Sequence, residues 1–224
     1  MMRTAVLFSG GKDSVYATYL AQQQCFDVVG TITVIPSAQD SYMFHVPNAR
    51  LAPVISGAMG LPNLSVEPAG GEEELGALRR GIERSDVDAV ITGAIASDYQ
   101  MFRINLVCEP LGVMVFSPLW HKRQEPLLRE IVGAGFDVRM VCAAAEGLNE
   151  EWLARRLDGK AIDELVAISN RRYIHVGGEG GEFETIVLDR PNFTRRLEIV
   201  SASCNWRGAA GSLNINAIRS IGKG

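Results

Sequence analysis

The chain has 224 residues, with 22 lysines and arginines against 26 aspartates and glutamates, so its formal net charge at pH 7 is −4. An isoelectric point near 5.5 argues against a basic nucleic-acid-binding domain, because such domains usually have values above about 9. We therefore expect no nucleic-acid partner. Hydrophobic residues make up 47% of the chain and charged residues 21%, which is typical of a globular protein and excludes wholesale disorder.

The sequence also predicts a cytoplasmic protein without a membrane span or a zinc site. No apolar stretch approaches the roughly 18 residues of a membrane-spanning helix, since charged residues interrupt every candidate. The apolar run at residues 5–8 is too short for the core of a signal peptide. Four scattered cysteines form no closely spaced pair, and the three histidines lack the spacing of metal ligands.

Over the first 116 residues, short β-branched and apolar runs alternate with longer segments of helical periodicity. The predicted strands are residues 4–8, 27–34, 64–67, 89–92 and 113–116. The predicted helices are residues 13–24, 48–60, 72–84 and 97–111. This alternation predicts an α/β fold with a doubly wound, mainly parallel sheet.

The second half of the chain has a different pattern. The alternation continues once, with a helix over residues 125–132 and a strand over 136–142. Two helices over 150–157 and 161–170 then precede three strands over 183–188, 196–203 and 212–217. Successive strands without intervening helices indicate antiparallel pairing. We therefore predict a main domain over residues 1–120 and a small C-terminal α+β subdomain over residues 121–224, with the boundary between residues 120 and 144.

The strongest local signal is a six-residue run between the first predicted strand and the first predicted helix. It consists of Ser9, Gly10, Gly11, Lys12, Asp13 and Ser14. Consecutive glycines let backbone N–H groups approach an anion, and the following helix adds its own N–H groups and positive dipole end. Lys12 supplies a cation, Asp13 would hold Mg²⁺ or cap the helix, and Ser14 would hydrogen-bond a phosphate oxygen. The run therefore predicts a phosphate-binding loop, the alternative being an ordinary capped turn.

The spacing of this run fits neither a Walker A loop nor a GxGxxG dinucleotide fingerprint. It resembles instead the SGGxDS loop of the PP-loop, or N-type, ATP pyrophosphatases. The resemblance implies an adenine nucleotide α-hydrolase-like fold of the HUP type. It also implies cleavage of ATP between its α and β phosphates, with Lys12 and Asp13 in catalytic roles.

Four further strings narrow the resemblance. They are MFHVPN at residues 43–48, GAIASDYQMFR at 93–103, SPLW at 117–120 and GEGGEFET at 178–185. In this order, and across nearly the whole chain, they resemble the diphthine–ammonia ligase family of archaea and eukaryotes. In that family an ATP-dependent amidation completes diphthamide, the modified histidine of translation elongation factor two. The resemblance implies ATP and Mg²⁺ as cofactors, elongation factor two as the protein partner and free ammonium as the nitrogen source.

The residues of the string at 93–103 also indicate a binding site, apart from the resemblance. Gly93 follows a predicted strand, where α/β proteins place ligand-binding loops, so we predict that it contacts the nucleotide. The helix beginning near Ser97 carries Tyr99, Gln100 and Arg103, with Arg103 on the same face as Tyr99. An arginine there can bind a phosphate or a carboxylate through two parallel hydrogen bonds. We predict that these four residues bind substrate, the alternative being a capped helix with solvated polar residues.

Three aromatic or imidazole side chains are further candidates for the substrate pocket. Trp120 could cover adenine or the trimethylated amine of diphthine by cation–π contact, although packing is the commoner role. Tyr42 and His45 lie on the long connection after the second predicted strand. They either line the pocket or are surface residues.

Residues 177–184 combine four glycines with three carboxylates. Such carboxylates could bind ammonium, hold a Mg²⁺ that bridges ATP, or take a proton as ammonia attacks an acyl-adenylate. We select Glu179 and Glu182 as catalytic candidates because their glycine neighbours allow a substrate to approach closely, and Glu184 as a substrate-binding candidate. The alternative is an acidic hairpin leading into a strand.

The chain departs from the family pattern at two points. Family members often have a cysteine beside the glycine-rich run, where this chain has glycine, and an acidic residue at the position of Asn105. These departures argue against an obligatory thiol nucleophile and remove one candidate general base. The leading hypothesis is an ATP-dependent amide ligase. The alternatives are an adenylating enzyme with another acceptor, such as a tRNA or a small carboxylate, and an ATP-binding regulatory module without turnover.

Overall fold

A computed structural model describes residues 2–36, 48–69 and 73–223. Tyr42 and His45 lie outside the described residues. By their contacts, the residues form two compact units, Met1–His121 and Lys122–Gly224. Among the described residues, none of the helices combines the length and the apolar character needed to cross a membrane.

The first unit is built on a five-stranded sheet in which every neighbouring pair is parallel. The strands are β1 (Arg3–Leu7), β2 (Asp27–Val34), β3 (Asn63–Val66), β4 (Ala89–Ile91) and β5 (Met114–Phe116). Their order in the sheet is β3-β2-β1-β4-β5. The chain therefore moves outward from β1 to β3 and then crosses to the other side of β1, which confirms the doubly wound α/β prediction.

In the described residues of this unit, four helices connect the strands. They are α1 (Lys12–Gln23), α2 (Ala52–Ala58), α3 (Glu74–Ser85) and α4 (Asp98–Cys108). The second predicted helix is shorter than expected, because its first turn, Ala49–Leu51, is a 3-10 turn ahead of α2.

Helix α3 shows how the helices join the sheet. It buries Ala77, Leu78, Gly81 and Ile82 on one face. A Cβ atom at Gly81 would lie 2.8 Å from Ile32 Cγ2, so glycine allows the helix to approach the sheet closely. The resulting apolar layer holds the strand ends in fixed positions.

The second unit contains a separate four-stranded sheet, which is antiparallel as the sequence predicted. Its strands are β6 (Asp137–Ala143), β7 (Phe183–Asp189), β8 (Arg195–Arg207) and β9 (Ala210–Gly222). Their order is β7-β6-β9-β8. Its helices are α5 (Gln124–Gly133) and α6 (Gly159–Arg172). Strands β8 and β9 are longer than predicted and form a hairpin whose turn includes Gly208 at φ +60°.

The prediction of a helix over residues 150–157 is wrong. Only Glu150–Trp152 forms a 3-10 turn, after which the chain turns at Ala154, where φ is +64°, and runs beside β6. Its hydrogen bonds to β6 run from Ala154 N to Met140 O and from Leu157 N to Val138 O, both at 2.9 Å. Strand β9 pairs with β6 only at Cys142 and Ala143. The other backbone N–H and C=O groups on this edge of β6 need hydrogen-bond partners. Residues 154–157 provide them in an extended conformation, although residues 150–157 have helical periodicity.

Candidate functional site

The candidate phosphate-binding loop lies at the point where the strand order of the first sheet reverses. Strands β1 and β4 are parallel neighbours, so the loops that follow them leave the same edge of the sheet. The loop after β1 leads into α1, and the loop after β4 carries Gly93. In open α/β sheets, ligands bind at this edge and at this reversal of strand order.

Glycine is required at the turn of the first loop. Gly10 has φ +80°, in the left-handed region that favours glycine. A Cβ atom at this position would lie 2.5 Å from Ile55 Cδ1. Gly11 follows as the N-cap of α1 and supplies no side chain to cap the helix. No side chain of the N-cap residue therefore competes with an anion at the start of α1, as in other phosphate sites at helix N-termini.

Two serine hydroxyl groups hold the loop in shape. Ser9 N donates to Ser14 Oγ, and Gly11 N donates to Ser9 Oγ, each at 3.3 Å. The two hydroxyl oxygens lie 3.2 Å apart, and Ser14 Oγ also donates to Gly11 O at 3.2 Å. Both hydroxyl groups therefore lie within the turn, beside the start of α1. A phosphate oxygen that binds there could replace one of their present hydrogen-bond partners.

Lys12 and Asp13 form an ion pair at the start of the helix. Lys12 Nζ lies 2.8 Å from Asp13 Oδ2, and the side chains are only 5% and 24% exposed. Asp13 Oδ1 is buried and has no hydrogen-bond partner among the described residues. A buried carboxylate oxygen without a partner costs about 1–3 kcal/mol, so this atom suits a cation or a donor brought by a ligand.

Asp13 can hold Mg²⁺ only if a nucleotide supplies further ligands to the ion. In the described part of the chain, no group of three or more His, Cys, Asp or Glu side chains could enclose a metal ion. Mg²⁺ usually has one or two protein carboxylates and completes its shell with phosphate oxygens and water. Asp13 would be such a carboxylate.

The structure brings Gly93 directly against the phosphate-binding loop. A Cβ atom at Gly93 would lie 2.7 Å from both Asp13 C and Ser14 N. The loop after β4 therefore contacts the backbone at the start of α1, and only glycine leaves room for it. The seven predicted nucleotide contacts thus lie in the loop after β1, the first turn of α1 and the loop after β4.

Helix α4 carries the next group of predicted residues. Ser97 is its N-cap and accepts a hydrogen bond from Gln100 N at 3.3 Å. The Arg103 guanidinium carbon lies 5.0 Å from the centre of the Tyr99 ring, and Arg103 Nη2 lies 3.7 Å from Glu73 Oε2. Tyr99 is 52% exposed and is therefore accessible from solvent.

Trp120 is half-buried and packs on its neighbour. Its ring centre lies 4.8 Å from that of His121, with the rings tilted by 45°. His121 has φ +59°, and its N–H donates to Ile95 O at 2.7 Å. The sequence analysis did not choose His121 as a site residue, because no sequence pattern indicates a positive φ at a histidine.

In the second unit, Glu182 braces the glycine-rich loop. One carboxylate oxygen accepts from His175 N at 2.8 Å and the other from Gly180 N at 2.7 Å. The first oxygen also lies 3.0 Å from His175 Nδ1, and the Glu182 side chain is only 12% exposed. Gly177 N donates to Gln124 Oε1 at 3.0 Å, a contact that sequence reasoning missed. Glu182 and Gln124 therefore fix the backbone on both sides of the half-buried Glu179.

Comparison with known proteins decides the family. Residues 2–115 match the model of the diphthamide synthase N-terminal domain, and residues 118–221 match that of the diphthamide synthase C-terminal domain. The chain belongs to the diphthamide synthase family. It is 31% identical to the diphthine–ammonia ligase of Homo sapiens over 90% of this chain and 84% of that protein. It is 30% identical to the diphthine–ammonia ligase of Rattus norvegicus over 88% of this chain and 83% of that protein.

A fungal relative is similar over a smaller part of its own length. The diphthine–ammonia ligase of Schizosaccharomyces pombe is 34% identical over 88% of this chain but only 36% of that protein. The similarity to the three relatives covers most of this chain, including both of its units. The family-model matches, over residues 2–115 and 118–221, include the phosphate-binding loop and the glycine-rich loop.

The two residues at which the sequence analysis expects departures from the family pattern have contacts of their own in the structure. Gly178 has φ +78°, and a Cβ atom there would lie 2.9 Å from Phe183 O, so this turn requires glycine. Asn105 Nδ2 donates to Met101 O at 2.8 Å, within its own helix. Both residues thus have structural roles.

Glu184 lies opposite Cys142 in the pairing of β7 with β6. Burial, with a smaller effect of the Glu184 charge, raises the pKa of the Cys142 thiol to about 11. That thiol is therefore protonated at neutral pH and unsuited to nucleophilic attack.

Proposed function

We propose that the chain is an ATP-dependent ligase that forms a carbon–nitrogen bond on a diphthine-bearing protein. Its relatives at about 30% identity over most of the chain bear the name diphthine–ammonia ligase. The proposed acceptor is the diphthine of translation elongation factor two, and the proposed nitrogen source is free ammonium.

One observation carries the nucleotide part of the proposal. The glycine turn at Gly10 leaves the first N–H groups of α1 without a capping side chain, at the edge of the sheet where the strand order reverses. Lys12, ion-paired and nearly buried, adds a fixed positive charge beside these groups. This arrangement supports the binding of a pyrophosphate group whose negative charge grows as it leaves.

The proposed reaction has two steps. The diphthine carboxylate attacks the α phosphate of ATP, which forms an acyl-adenylate and releases pyrophosphate. Ammonia then attacks the acyl carbon, a proton leaves the nitrogen, and AMP departs with the electron pair of the broken acyl–oxygen bond. Mg²⁺ held by Asp13 would neutralise part of the triphosphate charge.

The chain's own residues supply binding and orientation. The N–H groups of α1 and Lys12 bind the phosphates, and Tyr99 with Arg103 is proposed to hold the acceptor. Glu179 is the proposed proton acceptor for ammonia. Glu182 positions the loop on which Glu179 lies, because its own oxygens are occupied by two backbone N–H groups.

The experiment that tests this function is mass spectrometry of diphthine-bearing elongation factor two after incubation with the protein, ATP and ammonium. We expect conversion of the carboxylic acid to an amide, with one pyrophosphate released per amide formed. ATP binding without pyrophosphate release in the complete mixture would contradict the proposal and indicate a regulatory module. Pyrophosphate release without amide formation would indicate another acceptor.

Two substitutions test whether the phosphate-binding loop takes part in pyrophosphate release. Lys12→Met and Asp13→Asn should each lower pyrophosphate release by at least about 100-fold, since the first removes a cation proposed to bind the phosphates and the second removes the proposed Mg²⁺ ligand. Lys160→Met, at an exposed position of α6, is the matched control. Circular dichroism establishes that the variants fold, and release at the wild-type rate from a folded variant would refute the phosphate assignment.

Glu179→Gln tests the second step separately. ATP–pyrophosphate exchange without ammonium should persist in this variant, whereas amide formation should fall by about 100-fold or more. Loss of ATP affinity with an unchanged amidation step would instead assign Glu179 to the nucleotide or its metal ion.

A further inference from the structure

The glycine-rich loop of the second unit begins with a histidine to which the proposed reaction assigns no role. His175 follows α6 and precedes Glu179 in the chain. Its Nδ1 atom lies 3.0 Å from Glu182 Oε1, and the two side chains are 59% and 12% exposed. An accessible imidazole that contacts a shielded carboxylate is the arrangement by which enzymes orient a histidine base.

Glu182 holds the imidazole in one orientation. The oxygen that contacts Nδ1 also accepts from His175 N at 2.8 Å, and the other oxygen accepts from Gly180 N at 2.7 Å. Because a carboxylate only accepts hydrogen bonds, the proton of the neutral imidazole lies on Nδ1 and the lone pair on Nε2. Within the part of the chain that the structure describes, nothing hydrogen-bonds to Nε2.

The backbone places this pair beside the residue that follows Glu179. A Cβ atom at Gly180 would lie 2.8 Å from Glu182 Oε1 and 3.0 Å from His175 Nδ1. Gly178 N donates to His175 O at 3.0 Å, so the loop turns back immediately after the histidine. The imidazole is therefore in contact with the segment that carries the proposed proton acceptor.

Amide formation from ammonium needs two proton acceptors. Ammonium has four N–H bonds and the amide nitrogen keeps two, so two protons must leave. The first must leave before attack, because ammonium has no lone pair. The second leaves after the nitrogen has bonded to the acyl carbon, and Glu179 is the proposed acceptor for it. The first proton still needs a base.

We propose that His175 is this base and that Glu182 is its positioning residue, an inference that rests on the proposed function. Nε2 takes a proton from ammonium, and the lone pair that this frees on nitrogen attacks the acyl carbon. Glu179 takes the second proton, and AMP leaves with the electron pair of the acyl–oxygen bond. The Glu182 carboxylate stabilises the imidazolium that forms, as the aspartate of a catalytic triad does.

The test compares ammonium with hydroxylamine as nitrogen donors at neutral pH, with ATP and diphthine-bearing elongation factor two. Hydroxylamine is a much weaker base than ammonia, so it is mostly unprotonated and needs no base before attack. His175→Gln should lower kcat for amide formation from ammonium about 100-fold or more, while hydroxamate formation stays within about threefold of the wild-type rate. Arg171→Gln, at an exposed position in the last turn of α6, is the matched control and should keep both rates.

Two further variants separate a base from a structural residue. His175→Ala should regain at least about tenfold of its amide formation from ammonium when imidazole is added. Pyrazole has nearly the same size and shape but is scarcely basic, and it should not restore the reaction. Glu182→Gln should lower kcat with ammonium by at least about tenfold and affect hydroxylamine less. An equal loss with both donors would overturn the positioning role of Glu182.

Circular dichroism establishes that the variants fold. A folded His175→Gln variant with the wild-type kcat for ammonium, an equal loss with hydroxylamine, or equal effects of imidazole and pyrazole on His175→Ala would each overturn the assignment of His175. In these outcomes the wild type still forms amide, so the proposed function stands. A wild-type protein that forms neither amide nor hydroxamate would refute the proposed function and this inference with it.

Discussion

The contact between the two loops of the nucleotide site can be tested with one methyl group at Gly93. A Cβ atom at this position would lie 2.7 Å from Asp13 C and from Ser14 N, and 3.0 Å from Asp13 O. All three are backbone atoms, so no side-chain rotation relieves the overlap. To reach an ordinary contact of 3.4 Å, the start of α1 and the loop after β4 must separate by about 0.7 Å.

This displacement sets the expected magnitude of the effect of Gly93→Ala. Insertion of a methyl group into a well-packed site typically costs about 1–3 kcal/mol. For a chain of this size that corresponds to a fall in Tm of roughly 2–12 °C. A displacement approaching 1 Å at a reacting site lowers the rate by up to about 100-fold. We therefore expect pyrophosphate release to fall by about 10- to 100-fold in a protein that still folds.

The measurements are calorimetric Tm, circular dichroism and the rate of pyrophosphate release in the complete ligase mixture. Gly57→Ala is the matched control, since Gly57 lies within α2 and a Cβ atom there would meet no atom within 4 Å. It should keep the wild-type rate and gain up to about 1 kcal/mol of stability from the better helix propensity of alanine. A Gly93→Ala variant with the wild-type Tm and rate would show that the two loops do not touch.

Three further changes have defined outcomes. Asp158→Ala removes the side chain that accepts from Ala161 N at 2.8 Å at the start of α6, so urea denaturation should show a loss of about 0.5–2 kcal/mol that Asp158→Asn largely avoids. Gly178→Ala introduces a Cβ atom 2.9 Å from Phe183 O at φ +78°, which should cost about 1–3 kcal/mol and slow the ammonia step more than ATP–pyrophosphate exchange. Burial raises the pKa of the Cys108 thiol from 9.0 to about 11, and since the unfolded chain loses this proton first, the free energy of unfolding should fall by on the order of 2 kcal/mol between pH 9 and pH 11. A Cys108→Ala variant that shows the same fall over this pH range as the wild type would assign it to other groups.

Local patterns were sufficient wherever local structure and tertiary structure favour the same conformation. The strand over residues 27–34 was predicted with the bounds that β2 has in the structure. The other elements of the first unit were predicted to within a few residues, apart from the helix over residues 48–60. The sequence run around Gly10 and Gly11 also indicated a phosphate-binding turn, because few other structures need two glycines, a lysine and a small N-cap between a strand and a helix.

The prediction failed where a distant partner decided the conformation. Residues 150–157 have helical periodicity, but the open edge of β6 offers backbone hydrogen bonds that a local pattern does not contain. The hydrogen bonds of Glu182 also left no pattern in the sequence, and its catalytic role stays a prediction. A carboxylate between glycines is compatible with catalysis or with bracing, and only the folded loop shows that its two oxygens accept the N–H groups of His175 and Gly180.

The sequence by itself determined the fold class, the family and the loop that is proposed to bind ATP, because each of these is encoded in contiguous residues and their periodicity. The tertiary structure alone decided that Gly93 touches the start of α1, that Gln124 fixes Gly177, and that residues 154–157 pair with the part of β6 that β9 does not reach. These features join residues far apart in the chain. Their geometry depends on packing and on backbone hydrogen bonds between strands, which no single stretch of sequence specifies.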